Sequence, residues 1–383
     1  MSGLRVRASV ALIGEDLEPA RDVCIEVDDS GFISRVSRPP CQGEALRASA
    51  ALPLSANAHI HSADSLFPEH GYSMSIEELV APPSGLKHRL LASASRRDVV
   101  EATASTYRAA EAMGVGLIAD YREPAAGGCL TGREAAEKSY GVARIIVLGR
   151  PGDPGGPGTC DGTGLNSPLD YPEGLPDGWS SLPIQSAHVA ETRDMRSKGD
   201  FEAAMKLGFS VIVHGVHLTR RDLEEAAAEG LWLVLCPRSN MWHSTGVPPV
   251  KTIIEMGVNT AFGTDNAAWT PPDPAGEAAT AVYIARLQGV KGEEAAGWAL
   301  KALYRGGYEA YRVEPPAIEE SREASLTLYL TPQEGSVYTA KSLRYAIVKR
   351  VLAERPVAVV RGSICLSWPR GVTPCRAPGL LSS

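Results

Sequence analysis

Amide side chains are scarce in this chain: its 383 residues include five asparagines and four glutamines, against 28 prolines. Thermolabile residues are depleted in this way in proteins from hot environments, so the composition leans towards a thermophilic source. A run of about 18 apolar residues, the length that marks a membrane-spanning helix, does not occur. The N-terminal stretch "MSGLRVRASVALIGEDLEP" reaches Glu15 and Asp16 too soon for a secretory signal. These absences make a cytoplasmic protein with no membrane partner the expectation. A basic excess is missing too: the net charge of -7 leaves nothing to neutralise phosphates, which excludes a general nucleic-acid binder. The seven cysteines, at 24, 41, 129, 160, 236, 365 and 375, form no C-x-x-C pair, so neither a zinc ribbon nor a disulfide scaffold is indicated. Most are expected to be buried thiols, although an intracellular protein from such a source could form a disulfide, for instance Cys365 to Cys375.

What is present describes a large globular chain. Hydrophobic residues make up 44% and charged residues 22%, close to the soluble average, and the length accommodates a barrel of about 250 residues plus an accessory part. Residues 4–12, "LRVRASVAL", and 22–37, "DVCIEVDDSGFISRVS", alternate apolar and polar residues around a "DDSG" turn and read as antiparallel strands. "ASLTLYL" and "YAIVKRVLAERPVAVVRGSICL" repeat this style near the C-terminus. The two ends, 1–51 and 321–383, are therefore expected to build one small composite β-sandwich domain.

Between them, over 52–320, apolar strand-like runs alternate with patterned helices. The runs are "GVGLIADYRE", "ARIIVLGRP", "IQSAHVAET", "SVIVHGVHLT", "WLVLCPRSN" and "VNTAFGTDN"; the helices, such as "RRDVVEATASTYRAAEAMG", "RDMRSKGDFEAAMKLG" and "TRRDLEEAAAEG", end in glycine as helix stops do. This alternation predicts an α/β protein with a parallel sheet closed into a (β/α)8 TIM-type barrel, whose catalytic groups gather at the strand C-terminal ends. The Gly- and Pro-rich residues 149–182 offer "GTGLNSP" as the fourth strand, and the rest reads as a long loop at the barrel mouth.

His59 and His61 in "SANAHIHSADS" are two residues apart, so on a strand both imidazoles face one side and can reach one ion. Alone, such a pair is more often two surface histidines. Further strand ends carry metal-competent residues, however: Asp120, His188, His214 and Asp265 close other predicted strands. Chance placement of so many at one mouth is implausible, and a metal site follows.

The motifs "NAHIH" at 57–61, "HVAET" at 188–192, "HGVHLT" at 214–219, "CPRSN" at 236–240 and "GTDNA" at 263–267 resemble, in order and barrel position, the amidohydrolase superfamily in its deaminase and chlorohydrolase branch. The resemblance implies that His59, His61, His188 and Asp265 bind one divalent ion, zinc or iron, and that Glu191 and His214 surround the attacking water. Imidazoles with a carboxylate suit such ions. Glu191, three residues past His188, could move a proton or orient a ligand; Asp265 could both ligate and accept a proton; His214 could polarise substrate or ligate a second ion. Two-metal members carry a carboxylated lysine at the fourth strand, and "GTGLNSP" has none, which favours one ion per chain.

Residues expected near the mouth include Arg122 with Asp120 and Glu123, either as substrate contacts or as an internal salt bridge. Trp242 and His243 follow a strand end, and Lys87, His88 and Arg89 form a basic loop that suits a carboxylate or phosphate, or else a solvated turn. The lead-in "LPLSANAHIH" lacks the usual Pro-Gly, Asn266 stands where glycine is common, and "WALKALYRGGYEAY" replaces the common Asn-Gly-Ala helix, so no named substrate transfers. The expected reaction is hydrolysis of a C–N bond in a small amino-heterocyclic or amidine-like compound by deamination. Amide, cyclic amide or carbon–halogen hydrolysis, or a non-catalytic barrel, are the alternatives. The expected partner is that small molecule, with self-association open.

Overall fold

The computed structural model describes residues 3–80, 84–367 and 371–374. Four N-terminal strands, β1 (Arg5–Ile13), β2 (Glu18–Val27), β3 (Ile33–Ser37) and β4 (Leu46–Pro53), lead into eight parallel steps of barrel. Those steps are β5 (Ser55–His61), β6 (Val115–Tyr121), β7 (Arg144–Gly149), β8 (Gly162–Leu165), β9 (Gln185–Val189), β10 (Val211–His214), β11 (Trp232–Leu235) and an eighth strand in two pieces, β12 (Asn259–Phe262) and β13 (Asp265–Asn266). β12 pairs with β11, while β13 pairs with β5, so the ladder that starts at β5 returns to it.

Two-residue periodicity sorts the strand side chains onto two faces. Leu117, Ala119, Val211, Val213 and Val234 form one buried cluster. Ala187, Val189, Ile212, Leu233 and Leu235 join the outer helices in another. The helix Arg220–Ala228 shows how local chemistry fixes these units: Thr219 and Asp222 form a reciprocal capping box, and Gly230, at φ 69°, follows its end. "RDMRSKGDFEAAMKLG" is broken rather than continuous, because Gly199 at φ 84° separates Arg193–Ser197 from Asp200–Lys206.

The chain ends meet in one mixed eight-stranded sheet. Its order is β17 (Gly371–Pro374), β16 (Ile364–Ser367), β15 (Ala358–Arg361), β14 (Ser325–Tyr329), then β4, β1, β2 and β3. Part of the C-terminal strand reading is corrected, since Leu343–Ala346 and Ile347–Val351 are helical. The buried residues there, Leu343, Ala346, Ile347 and Val351, recur at helical spacing, and Ser342 caps the start by accepting the Tyr345 N–H.

The cysteine expectation is corrected as well. Cys24 pairs with Cys41 and Cys129 with Cys160, and Cys365 is also disulfide-bonded; Cys375 lies outside the described residues. The pairs span 17 and 31 residues of sequence, so only the folded sheet and the loop after β7 bring them to Cα distances of 5.6 and 5.5 Å. Cys236 is a buried free thiol. Among the described residues no helix is long and apolar enough to cross a membrane.

Closure of the ring depends on Gly263. A Cβ there would stand 2.5 Å from His59 Cβ and under 3 Å from the His59 backbone nitrogen and oxygen. Gly263→Ala should therefore overpack the seam and cost about 1–3 kcal/mol, read as a lowered Tm. An unchanged Tm would show that the eighth strand does not press on the first.

Candidate metal centre

His59 and His61 end β5, His188 lies in β9, His214 ends β10 and Asp265 opens β13, so one barrel mouth receives them all. His214 and Asp265 hold positive φ, 75° and 60°, as does Ala190 at 52° just before Glu191. Such non-glycine residues cost on the order of 1–3 kcal/mol each and persist where their surroundings fix them. Asp200 is one such constraint: its buried carboxylate accepts the Ala190 N–H at 2.6 Å and pins the corner that carries Glu191.

His59 Nε2 lies 3.2 Å from Asp265 Oδ1; His61 Nε2 lies 3.2 Å from His188 Nε2 and 3.7 Å from the same Asp265 oxygen. One ligand atom from each of the four falls within 4.8 Å of the others. Ligand atoms about 2.1 Å from a tetrahedral ion stand about 3.4 Å apart, so the spacing fits a divalent cation. The proton positions agree. His188 Nδ1 donates to Leu165 O at 2.6 Å, which leaves the Nε2 lone pair facing His61. Burial, reinforced by the neighbouring histidines, lowers both the His61 and His188 pKa well below the usual value, with Lys87 adding to the effect at His61. Burial raises the cost of an ionised Asp265, yet the His59 hydrogen bond and the surrounding imidazoles hold its carboxyl well below the usual range. Neutral imidazoles and an ionised carboxylate are the protonation states that ligation needs.

Glu191 and His214 complete the mouth. Glu191 Oε2 is 3.7 Å from His214 Nε2, and burial, then the charge of Asp265, pushes its carboxyl up to about 8. The Asn240 amide nitrogen lies 3.0 Å from His214 Nδ1, which places the ring proton on Nε2, towards Glu191. Ser239 Oγ donates to Asp265 Oδ2. Ser239 and Asn240 were missed as orienting groups in the sequence; their signal was "CPRSN", a helix start directly after β11.

A cavity of about 320 Å³ opens over these residues, and Lys87, Glu123 and His243 line it too. Trp242 is instead 58% exposed in an adjoining outer recess of about 570 Å³, so the structure does not bring it to the ligands. Lys87 is not on a loop or a solvated turn: it sits in the helix Leu86–Ser93, buried, 2.9 Å from both Asp64 and Glu123. Arg122 and Asp120 are likewise not at the cavity. They form the internal alternative, a fully buried pair at 2.7 Å, with Arg122 also donating to Ser62 and Thr131 and Asp120 accepting from Ser62 and Tyr107. Glu123 is the member of "ADYRE" that reaches the site, 3.5 Å from His61 Nδ1.

The description "Amidohydrolase family" matches residues 184–327. A Methanothermobacter thermautotrophicus protein named "Putative aminohydrolase" is 31% identical over 311 residues, covering 71% of this chain and 78% of that one. The chain belongs to the amidohydrolase family. It is a hydrolase acting on carbon–nitrogen bonds. An Archaeoglobus fulgidus protein named 5-methylthioadenosine/S-adenosylhomocysteine deaminase 2 is 32% identical over 146 residues, 37% of this chain and 35% of that one. In fold, an adenosine deaminase from Xanthomonas campestris with bound zinc matches with a TM-score of 0.76 at 16% identity, over 97% of this chain and 94% of the other.

Two outcomes follow from this geometry. Arg122→Met should cost about 3–5 kcal/mol of stability, because Asp120 would be left buried and unpaired; a denaturation midpoint equal to that of the unaltered protein would refute the strut. Elemental analysis of purified protein should find about one divalent ion per chain, and His61→Ala should remove it. Two equivalents at full occupancy would instead make Glu191, His214 and Asp265 a second site.

Proposed function

We propose that this amidohydrolase is a mononuclear zinc-dependent aminohydrolase that deaminates a small amino-heterocyclic or amidine-like compound. The observation that carries this reading is the placement of Glu191: a half-buried carboxyl, pushed up to about 8, beside the ligand set but outside it. His59, His61, His188 and Asp265 would hold the ion. A zinc ion bound there supplies Lewis acidity that lowers the pKa of a water towards 7.

The residues divide the remaining work. Asp265 fixes one oxygen towards the ligand histidines, while its other is held by Ser239. His214 presents an N–H to the oxygen that attacks the sp² carbon bearing the amino group. Glu191 holds the proton that the departing nitrogen takes, so that a C–O bond forms, the C–N bond breaks and ammonia leaves. The metal ligands cannot supply that proton, because their lone pairs face the ion.

A screen for ammonia release over amino-purines, pyrimidines, pterins and guanidino compounds tests the reading. At least one class should release ammonia with its ring intact; turnover that opens a ring without ammonia would replace deamination with cyclic amide hydrolysis. Glu191→Gln should keep the metal and lose about 100-fold or more in turnover. The pH profile has a defined sign. A proton donor fails once it ionises, so activity should fall on the alkaline side, at or below about 8, since a cation in the ligand set favours the Glu191 carboxylate. A profile flat through pH 9 would remove Glu191 as the donor.

A further inference from the structure

Lys87 is the cavity-lining cation that the reaction above does not use. It reaches the mouth from the helix Leu86–Ser93, inserted after β5, and its side chain is 7% exposed. Its ammonium has three N–H donors. Asp64 Oδ2 and Glu123 Oε1 each stand 2.9 Å away as ion-pair partners. Two ion-pair partners can engage at most two of the three N–H groups, which leaves at least one for the cavity that Lys87 shares with His61, Glu191 and Asp265.

The surroundings decide what that donor can take. Arg150, also buried, pairs with the other oxygen of Glu123, and Asn266 donates to Asp64 at 2.8 Å. Two cations, Lys87 and Arg150, thus face two carboxylates, Asp64 and Glu123, and the cluster has no spare positive charge. A phosphate or carboxylate placed on Lys87 would stand beside two carboxylates in a low-dielectric pocket, where like charges repel strongly. A neutral acceptor meets no such penalty and gains a charge-assisted hydrogen bond.

Resting on the aminohydrolase reading, we infer that Lys87 is a specificity-determining substrate contact: it donates to an uncharged acceptor, a carbonyl oxygen or ring nitrogen, and the pocket rejects anionic analogues. This replaces the recognition of a carboxylate or phosphate, one of the two readings of residues 82–90, the other being a solvated turn. The substrate class narrows to uncharged amino-heterocycles, free or as nucleosides, rather than their phosphates.

The test measures binding apart from chemistry. Metal-loaded protein on the Glu191→Gln background is titrated calorimetrically with each compound of the ammonia screen and, where one exists, its 5′-monophosphate. The uncharged compounds should bind about 10- to 100-fold more tightly than their phosphates, and Lys87→Met should weaken them by a similar factor, the range of a hydrogen bond from a charged donor. Because Lys87→Met leaves two carboxylates short of a counter-charge, the double variant Lys87→Met/Glu123→Gln restores the balance without the donor. Weak binding that persists in the double variant supports the contact; recovered binding shows that Lys87 only offsets Glu123 and overturns it, as does tighter binding of the phosphates. The binding pattern without ammonia from any compound would sink the deaminase reading and leave the Lys87 assignment standing.

Discussion

The centre depends on one pairing: Asp265 and Asn266 lie beside Ile60 and His61 in the parallel ladder that closes the barrel. Through it Asp265, which opens the last strand segment, becomes the neighbour of the pair that ends the first strand of the barrel. Gly263 permits the contact by leaving no Cβ against His59, and Asn57 secures it by donating to Thr264 at 2.8 Å and accepting the Thr264 N–H at 3.1 Å. The left-handed backbone at Asp265 then turns its carboxylate inward. Without closure, His59 and His61 would be two strand histidines with no carboxylate to share an ion.

Burying this many ionisable groups calls for compensation around them. Asp120 and Arg122 neutralise each other below β5 and β6, Arg238 does the same for buried Glu277 at 2.6 Å, and Lys87 with Arg150 faces Asp64 and Glu123. Each pair lies outside the ligand set and holds a segment that the set depends on: Ser62 after His61, the helix that carries Ser239 and Asn240, and the "ADYRE" turn. Removing one partner of such a pair strands the other in a low dielectric, so Asp120, Arg122, Arg238 and Glu277 act on the site through stability and position, while Lys87 also borders the cavity.

The barrel and the cluster at its mouth were legible in the sequence because both follow short-range rules. Apolar runs alternating with patterned helices give a parallel sheet, and residues at strand ends share a mouth whichever strands they come from, so His59, His61, His188, His214 and Asp265 could be grouped without a distance. The residues that misled belong to contacts the sequence does not encode locally. Lys87 beside His88 and Arg89 reads as a basic loop until the fold presents Asp64 and Glu123 to it. Asp120 and Arg122 close a strand as catalytic groups do, which leaves substrate contact open beside an internal salt bridge, and the packing of Tyr107 and Ser62 decides for the salt bridge. The cysteine pairs lie 17 and 31 residues apart with no motif, and residues 343–351 alternate well enough to pass for a strand although their buried positions follow a helix.

The central claim is that barrel closure makes one metal site from β5, β9 and β13. Anomalous diffraction from crystals of the zinc-loaded protein, collected at the zinc edge, tests it most directly. The account predicts a single strong peak within bonding distance of His59, His61, His188 and Asp265, with Glu191 and His214 next to it but not ligating. A second peak of comparable height between Glu191 and His214, or a single peak away from Asp265, would contradict it.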